Sequence, residues 1–136
     1  QGAPIRATIQ SFDWRTLPSV ARIAPDLPRV ALWDTTTWKP GSRWLGPVSY
    51  ASVRGDVING ARQVASILSP DYDLSTKVLV TRAHRLGLKV IPWTVNDPAA
   101  MNAQIDLGVD GLITDYPTRL RTILRERGMP LPAPVR

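Results

Sequence analysis

Ala83-His84-Arg85-Leu86-Gly87-Leu88-Lys89-Val90-Ile91-Pro92-Trp93-Thr94-Val95-Asn96-Asp97 carries the end of a helix, a turn, a strand and the start of the next helix. Gly87 is the kind of residue that stops a helix in a left-handed conformation. The run Lys89–Val95 is β-branched and aromatic, and Asp97-Pro98 pairs an N-cap with a proline at the first helical position. Gly108-Val109-Asp110-Gly111-Leu112-Ile113-Thr114-Asp115-Tyr116-Pro117 repeats the same grammar. Two such junctions in succession describe βα units of a parallel sheet.

Working outward, five strand candidates emerge: Ala7–Phe12, Arg29–Asp34, Val64–Leu68, Lys89–Val95 and Gly111–Thr114. Each interval between them holds a strand, a helix and two loops. Ser75 is expected to cap a helix over Thr76–Leu86, with Leu74 and Leu79 as its hydrophobic staple and Leu79, Ala83 and Leu86 on one face. The last helix follows Pro117, with Leu120, Ile123 and Leu124 on its inner side. Thr35–Arg62 breaks the rhythm as a long connection with a helical turn or two around Ser52–Asn59. Its Trp38 and Trp44 form either a lid over substrate or a cover on the side of the fold. No linker divides the chain: residues 1–128 read as one unit and 129–136 as an irregular tail.

Composition narrows the chemistry. The chain has 136 residues and no cysteine, which excludes disulfides, thiolate metal sites and a cysteine nucleophile. No apolar run is long enough for a membrane-spanning helix. Lys and Arg number 17 against 11 Asp and Glu. That excess either attracts anionic ligands such as phosphate esters or simply keeps an Arg-rich surface soluble. The basic residues are scattered without interleaved aromatics, so nucleic acid is not an expected partner. Gln1-Gly2-Ala3-Pro4 has neither an initiator Met nor a signal-peptide pattern, and the chain is expected to begin inside a longer gene product.

In parallel α/β folds ligands bind at the C-terminal ends of the strands. Phe12, Trp93, Asn96 and Asp115 all fall there. Phe12 lines a pocket or packs the interior. Trp93 walls a pocket or lies under a helix. Asn96 caps the next helix or hydrogen-bonds a ligand, and Asp115 reads as a turn or N-cap residue. Asp71-Tyr72-Asp73 is an acidic loop, either a solvated turn or a weak cation site. The single histidine, His84, lies in a helix on the side that feeds the next strand's N-terminus, where a structural or surface role is expected.

The Trp93-Thr94-Val95-Asn96 and Gly108–Pro117 strings together resemble the C-terminal signature of the glycerophosphodiester phosphodiesterase family. Gln10-Ser11-Phe12-Asp13, Leu17, Ala24-Pro25 and Ser69-Pro70 fit the same pattern, so the resemblance runs from about Ile5 to Leu124. It implies an α/β fold, the part of a TIM-type (β/α)8 barrel from about its fourth to its eighth strand. It also implies a metal-dependent enzyme that hydrolyses glycerophosphodiesters to an alcohol and glycerol 3-phosphate with a divalent cation, calcium or magnesium. The family's His-Arg-Gly motif, second histidine and acidic metal ligands belong to its first three strands. No catalytic residue and no metal ligand is therefore expected in this chain, whereas Phe12, Trp93 and Asn96 are expected to contact substrate. The alternatives are a non-catalytic barrel fragment or binding module, and a phospholipase D-like member of the superfamily acting on lysophospholipids or sphingomyelin. The expected partner besides substrate is the missing N-terminal part of the barrel or a second copy of the chain. The resemblance leans toward secreted or periplasmic bacterial members.

Overall fold

In the computed structural model, residues 7–133 are described. Residues 1–6 and 134–136, which include Gln1–Pro4, Ile5 and the end of the tail, lie outside them. The elements in order are β1 (Ile9–Ser11), α1 (Thr16–Ile23), β2 (Arg29–Trp33), α2 (Val57–Ala61), β3 (Ile67–Pro70), α3 (Lys77–Arg85), β4 (Lys89–Val90), α4 (Pro98–Leu107) and α5 (Pro117–Glu126). The four strands form one parallel sheet in sequence order, β1-β2-β3-β4. This is the α/β barrel arrangement expected.

The fifth expected strand, Gly111–Thr114, is not a regular strand. It lies against the chain after β4 through Asp110 N–H to Val90 O (2.8 Å), Ile113 N–H to Pro92 O (3.0 Å) and Val95 N–H to Ile113 O (2.8 Å). Three residues on one side of this pairing answer two on the other, so the ladder slips, as it does at a bulge. Pro92 adds to the break because it has no N–H. The third strand begins at Ile67 rather than Val64, because Val64 and Ala65 still donate to Ala61 O as the last turn of α2. The other strands are shorter than expected at one or both ends.

Helix ends follow local chemistry. Thr76, not Ser75, caps α3: its hydroxyl accepts from Leu79 N–H at 3.1 Å. Ser75 instead closes the preceding 3₁₀ turn by donating its N–H to Tyr72 O. The staple positions move with the cap, yet Leu74 and Leu79 still pack on the core. The buried face of α3 is Val80 and Ala83, whereas Leu86 is exposed. Asp97 caps α4 as expected, accepting from Ala100 N–H, and Gly87 and Gly108 end α3 and α4 at positive φ. In the long connection, the helix is Val57–Ala61, later than expected. Asp56 starts it by accepting from Asn59 N–H.

The main core lies between the sheet and its helices and contains Trp14, Leu17, Ala31, Trp33, Leu68, Val80, Ala83 and Val90. Because side chains alternate along a strand, Val30, Leu32, Ile67 and Ser69 take the opposite, concave face. All four are buried, so the sheet curls enough to cover much of its own interior. Trp38 belongs to the helix-side core. Its ring lies tilted against Trp14 and Tyr50 at 5.6 and 5.1 Å between ring centroids, and its indole N–H donates to Gly55 O. It covers the side of the fold; Trp44 is exposed. Among the described residues no helix is long and apolar enough to cross a membrane.

Candidate active site

The C-terminal ends of the strands bring together residues far apart in sequence. Phe12 leaves β1 and Trp93 follows β4, and their rings meet edge to face at 5.3 Å and 84°. Both are half-buried. The backbone around Trp93 is held by a bridge to Asp71, by Trp93 N–H to Pro70 O (3.0 Å) and by Tyr72 N–H to Trp93 O (2.9 Å). Its indole N–H donates to Ser69 O at 2.9 Å. The polar atom of Trp93 is thereby used within the protein, and what the side chain offers at the mouth is an apolar ring.

Asn96 does not cap α4. Its side-chain oxygen accepts from Thr114 hydroxyl (3.1 Å) and Asp115 N–H (3.0 Å), and its amide donates to the Asp115 carboxylate (2.9 Å). Arg119 donates to the Asn96 carbonyl and lays its guanidinium 4.3 Å from the centre of the Tyr116 ring. Asn96 therefore ties the chain after β4 to the end of the fifth segment. Asp115 is not an N-cap either: α5 starts at Pro117 with no side-chain cap.

The carboxylates of Asp13, Asp34 and Asp71 at this end are occupied locally. Asp13 forms a two-pronged pair with Arg15 (2.8 and 2.6 Å), and that hydrogen bond holds its carboxyl below the usual carboxylate range. Burial pushes the Asp34 carboxyl up, but hydrogen bonds from Thr36 hydroxyl and the Thr36 and Thr37 amides outweigh it and leave the group lowered. Asp71 accepts from Asp73 N–H at 3.0 Å, a turn rather than a cation cradle. Among the described residues no three His, Asp or Glu side chains converge as metal ligands. They do not fit a divalent cation site.

His84 lies at the other end of the sheet. Its Nε2 is 2.7 Å from the Asp110 carboxylate, which also accepts Val90 N–H at 2.8 Å. The pair fastens the end of α3 to the start of β4, away from the mouth. The model of the glycerophosphoryl diester phosphodiesterase family matches residues 1–119.

The chain belongs to that family. It is 30% identical over 114 residues to a glycerophosphodiester phosphodiesterase of Bacillus subtilis, covering 84% of this chain and 35% of the relative. It is 30% identical over 123 residues to another from Caldanaerobacter subterraneus, covering 90% and 44%. Among solved structures, one assigned as a glycerophosphoryl diester phosphodiesterase from Silicibacter pomeroyi superposes with a TM-score of 0.77 at 34% identity, over 93% of this chain and 40% of that one. The chain thus spans well under half the length of these relatives. The family assignment agrees with the Trp93–Asn96 and Gly108–Pro117 strings. The sequence reading missed the burial of Ser69, the Asp34–Thr37 turn and Arg119. Only Ser69 left a trace, as the Ser69-Pro70 pair that fits the family pattern.

Proposed function

We propose that this chain forms the C-terminal part of the barrel of a metal-dependent phosphodiesterase that hydrolyses glycerophosphodiesters to an alcohol and glycerol 3-phosphate. The observation that carries the reading is the Phe12–Trp93 pair at the C-terminal mouth of a barrel of this family. With its indole N–H already engaged, Trp93 suits the carbon skeleton of glycerol or of the leaving alcohol, not the phosphate. In this proposal the cation, its carboxylate ligands and the acid–base pair come from the barrel strands that this chain does not contain. In hydrolysis the P–O bond to the alcohol breaks, water supplies the new P–O bond, and the departing alcoholate takes up a proton.

The experiment is a comparison of this chain alone with the chain joined to the first three barrel strands of a relative, each with calcium or magnesium. Release of glycerol 3-phosphate from glycerophosphodiesters is measured. The expected result is no release by the chain alone and metal-dependent release by the joined protein. Release by the chain alone overturns the division of labour. Binding of glycerophosphodiesters without turnover by the joined protein favours a binding module. Turnover of lysophospholipids or sphingomyelin alone favours the phospholipase D-like reading.

A further inference from the structure

Pro70 stands inside β3, a strand with partners on both sides, where a proline removes one rung of the ladder. The register identifies the rung. Lys89, Ile91 and Trp93 donate in turn to the carbonyls of Ser66, Leu68 and Pro70 at 3.2, 2.9 and 3.0 Å. In a parallel ladder each of these residues also accepts from the residue two beyond the one it donates to. The carbonyl of Trp93 duly accepts from Tyr72 N–H at 2.9 Å. The carbonyl of Ile91 is due a donor from Pro70, which has none.

Ser69 fills the gap. Its hydroxyl donates to Ile91 O at 2.6 Å, and the residue is wholly buried. The carbonyl of the same residue accepts the Trp93 indole N–H at 2.9 Å. The two bonds act on one short piece of chain. One keeps the backbone leading to Trp93 in register, and the other fixes the plane of its ring. The hydroxyl has a single proton and it is committed, so Ser69 is not available to substrate as a donor.

We propose that Ser69 is the positioning residue for Trp93: its hydroxyl replaces the amide that Pro70 lacks, and its carbonyl holds the indole edge to face against Phe12. The consequence for catalysis rests on the reading of Trp93 as a pocket wall, but the positioning itself is measurable without substrate.

The test is a double-substitution cycle of Ser69→Ala, Pro70→Ala and both together, because Pro70→Ala restores the missing N–H. The readout is the NMR signal of the Trp93 indole N–H, identified by its loss in Trp93→Phe. In Ser69→Ala its exchange with solvent is expected to rise about tenfold, the effect of one lost buried hydrogen bond on local opening. In the double variant it is expected to return toward the original rate. An unmoved signal in Ser69→Ala overturns the proposal. So does an equal effect of Ser69→Ala with Pro70 or Ala at position 70, including equal unfolding of both. In the joined enzyme, kcat/KM should follow the indole signal. If the signal moves and the kinetics do not, the positioning stands and the pocket reading of Trp93 fails.

Discussion

Phe12 and Trp93 touch, with ring centroids 5.3 Å apart, although two strands separate β1 from β4. In a flat sheet three strand spacings amount to about 14 Å. The contact therefore measures how tightly the sheet curls, and it puts two aromatic rings on the concave side of the mouth.

From this follows the first expectation. In an enzyme containing the whole barrel, Trp93→Ala should lower kcat/KM about tenfold or more while costing less than the roughly 3–5 kcal/mol typical of truncating a core aromatic. Trp93 is only half-buried, so its loss empties part of the mouth rather than the core. Steady-state kinetics and denaturant melts of the same preparation separate the two. A full core-sized stability loss with normal kinetics in the folded fraction shows that Trp93 is a packing residue.

Asn96 gives a different outcome. Its three side-chain hydrogen bonds join two separate segments, so Asn96→Ala should cost about 1–3 kcal/mol. Asn96→Asp should also destabilise at neutral pH, because it sets a second carboxylate beside Asp115. Denaturant melts at neutral pH read both losses. Unchanged stability with weakened binding of glycerol 3-phosphate would return Asn96 to the role of ligand contact.

Gly60 is packed beneath Trp38. A Cβ there would sit 2.6 Å from the Trp38 ring and 3.1 Å from Val48. Trp38 cannot yield readily, being packed at a tilt against both Trp14 and Tyr50 and donating its indole N–H to the Gly55 carbonyl. Gly60→Ala is expected to destabilise by about 1–3 kcal/mol through overpacking, seen as a lower Tm with the fold retained.

Acid stability should depend on Asp56. Burial raises its carboxyl pKa, but the Asn59 amide and Arg82, 2.6 Å away, lower it more, and the net shift is downward. A folded-state pKa below the unfolded one gives stability that is present above the unfolded value of about 3.9 and is lost as pH falls through the folded one. Asp56→Asn should therefore melt lower than the parent at neutral pH, with the gap closing in acid below about pH 4. A constant gap across the titration refutes the linkage.

The sheet's edges should govern association of the chain by itself. Among the described residues β1 pairs on one side only, and Ile9 is 38% exposed. Beyond the fifth segment lies an open groove of about 390 Å³, lined by Ile105, Leu112, Leu120, Leu124 and Met129 among others. Unpaired edges with apolar flanks invite another chain. Sedimentation of the isolated chain in the micromolar range is expected to show self-association. A sharp monomer with a cooperative melt shows that the edges are covered in another way.

The sequence alone determined the alternation of strands and helices, the helix stops at Gly87 and Gly108, the cap at Asp97 and the family. These are local matters: a left-handed glycine, an N-cap followed by proline and a β-branched run each act within a few residues. The positions of Phe12 and Trp93 at strand ends were legible for the same reason. The tertiary structure decided what those residues meet. Asn96 and Thr114 are 18 residues apart, and Ser69 reaches Ile91 across 22. Such bonds depend on strand register and on the curl of the sheet, which no local pattern encodes. The cap is Thr76 rather than Ser75: the Thr76 hydroxyl accepts from Leu79 N–H one residue further on, while the Ser75 backbone N–H closes the preceding turn on Tyr72. The fifth strand failed to form because its pairing slips by one residue beside Pro92. Propensity chooses the element, but the partner chooses whether its hydrogen bonds close.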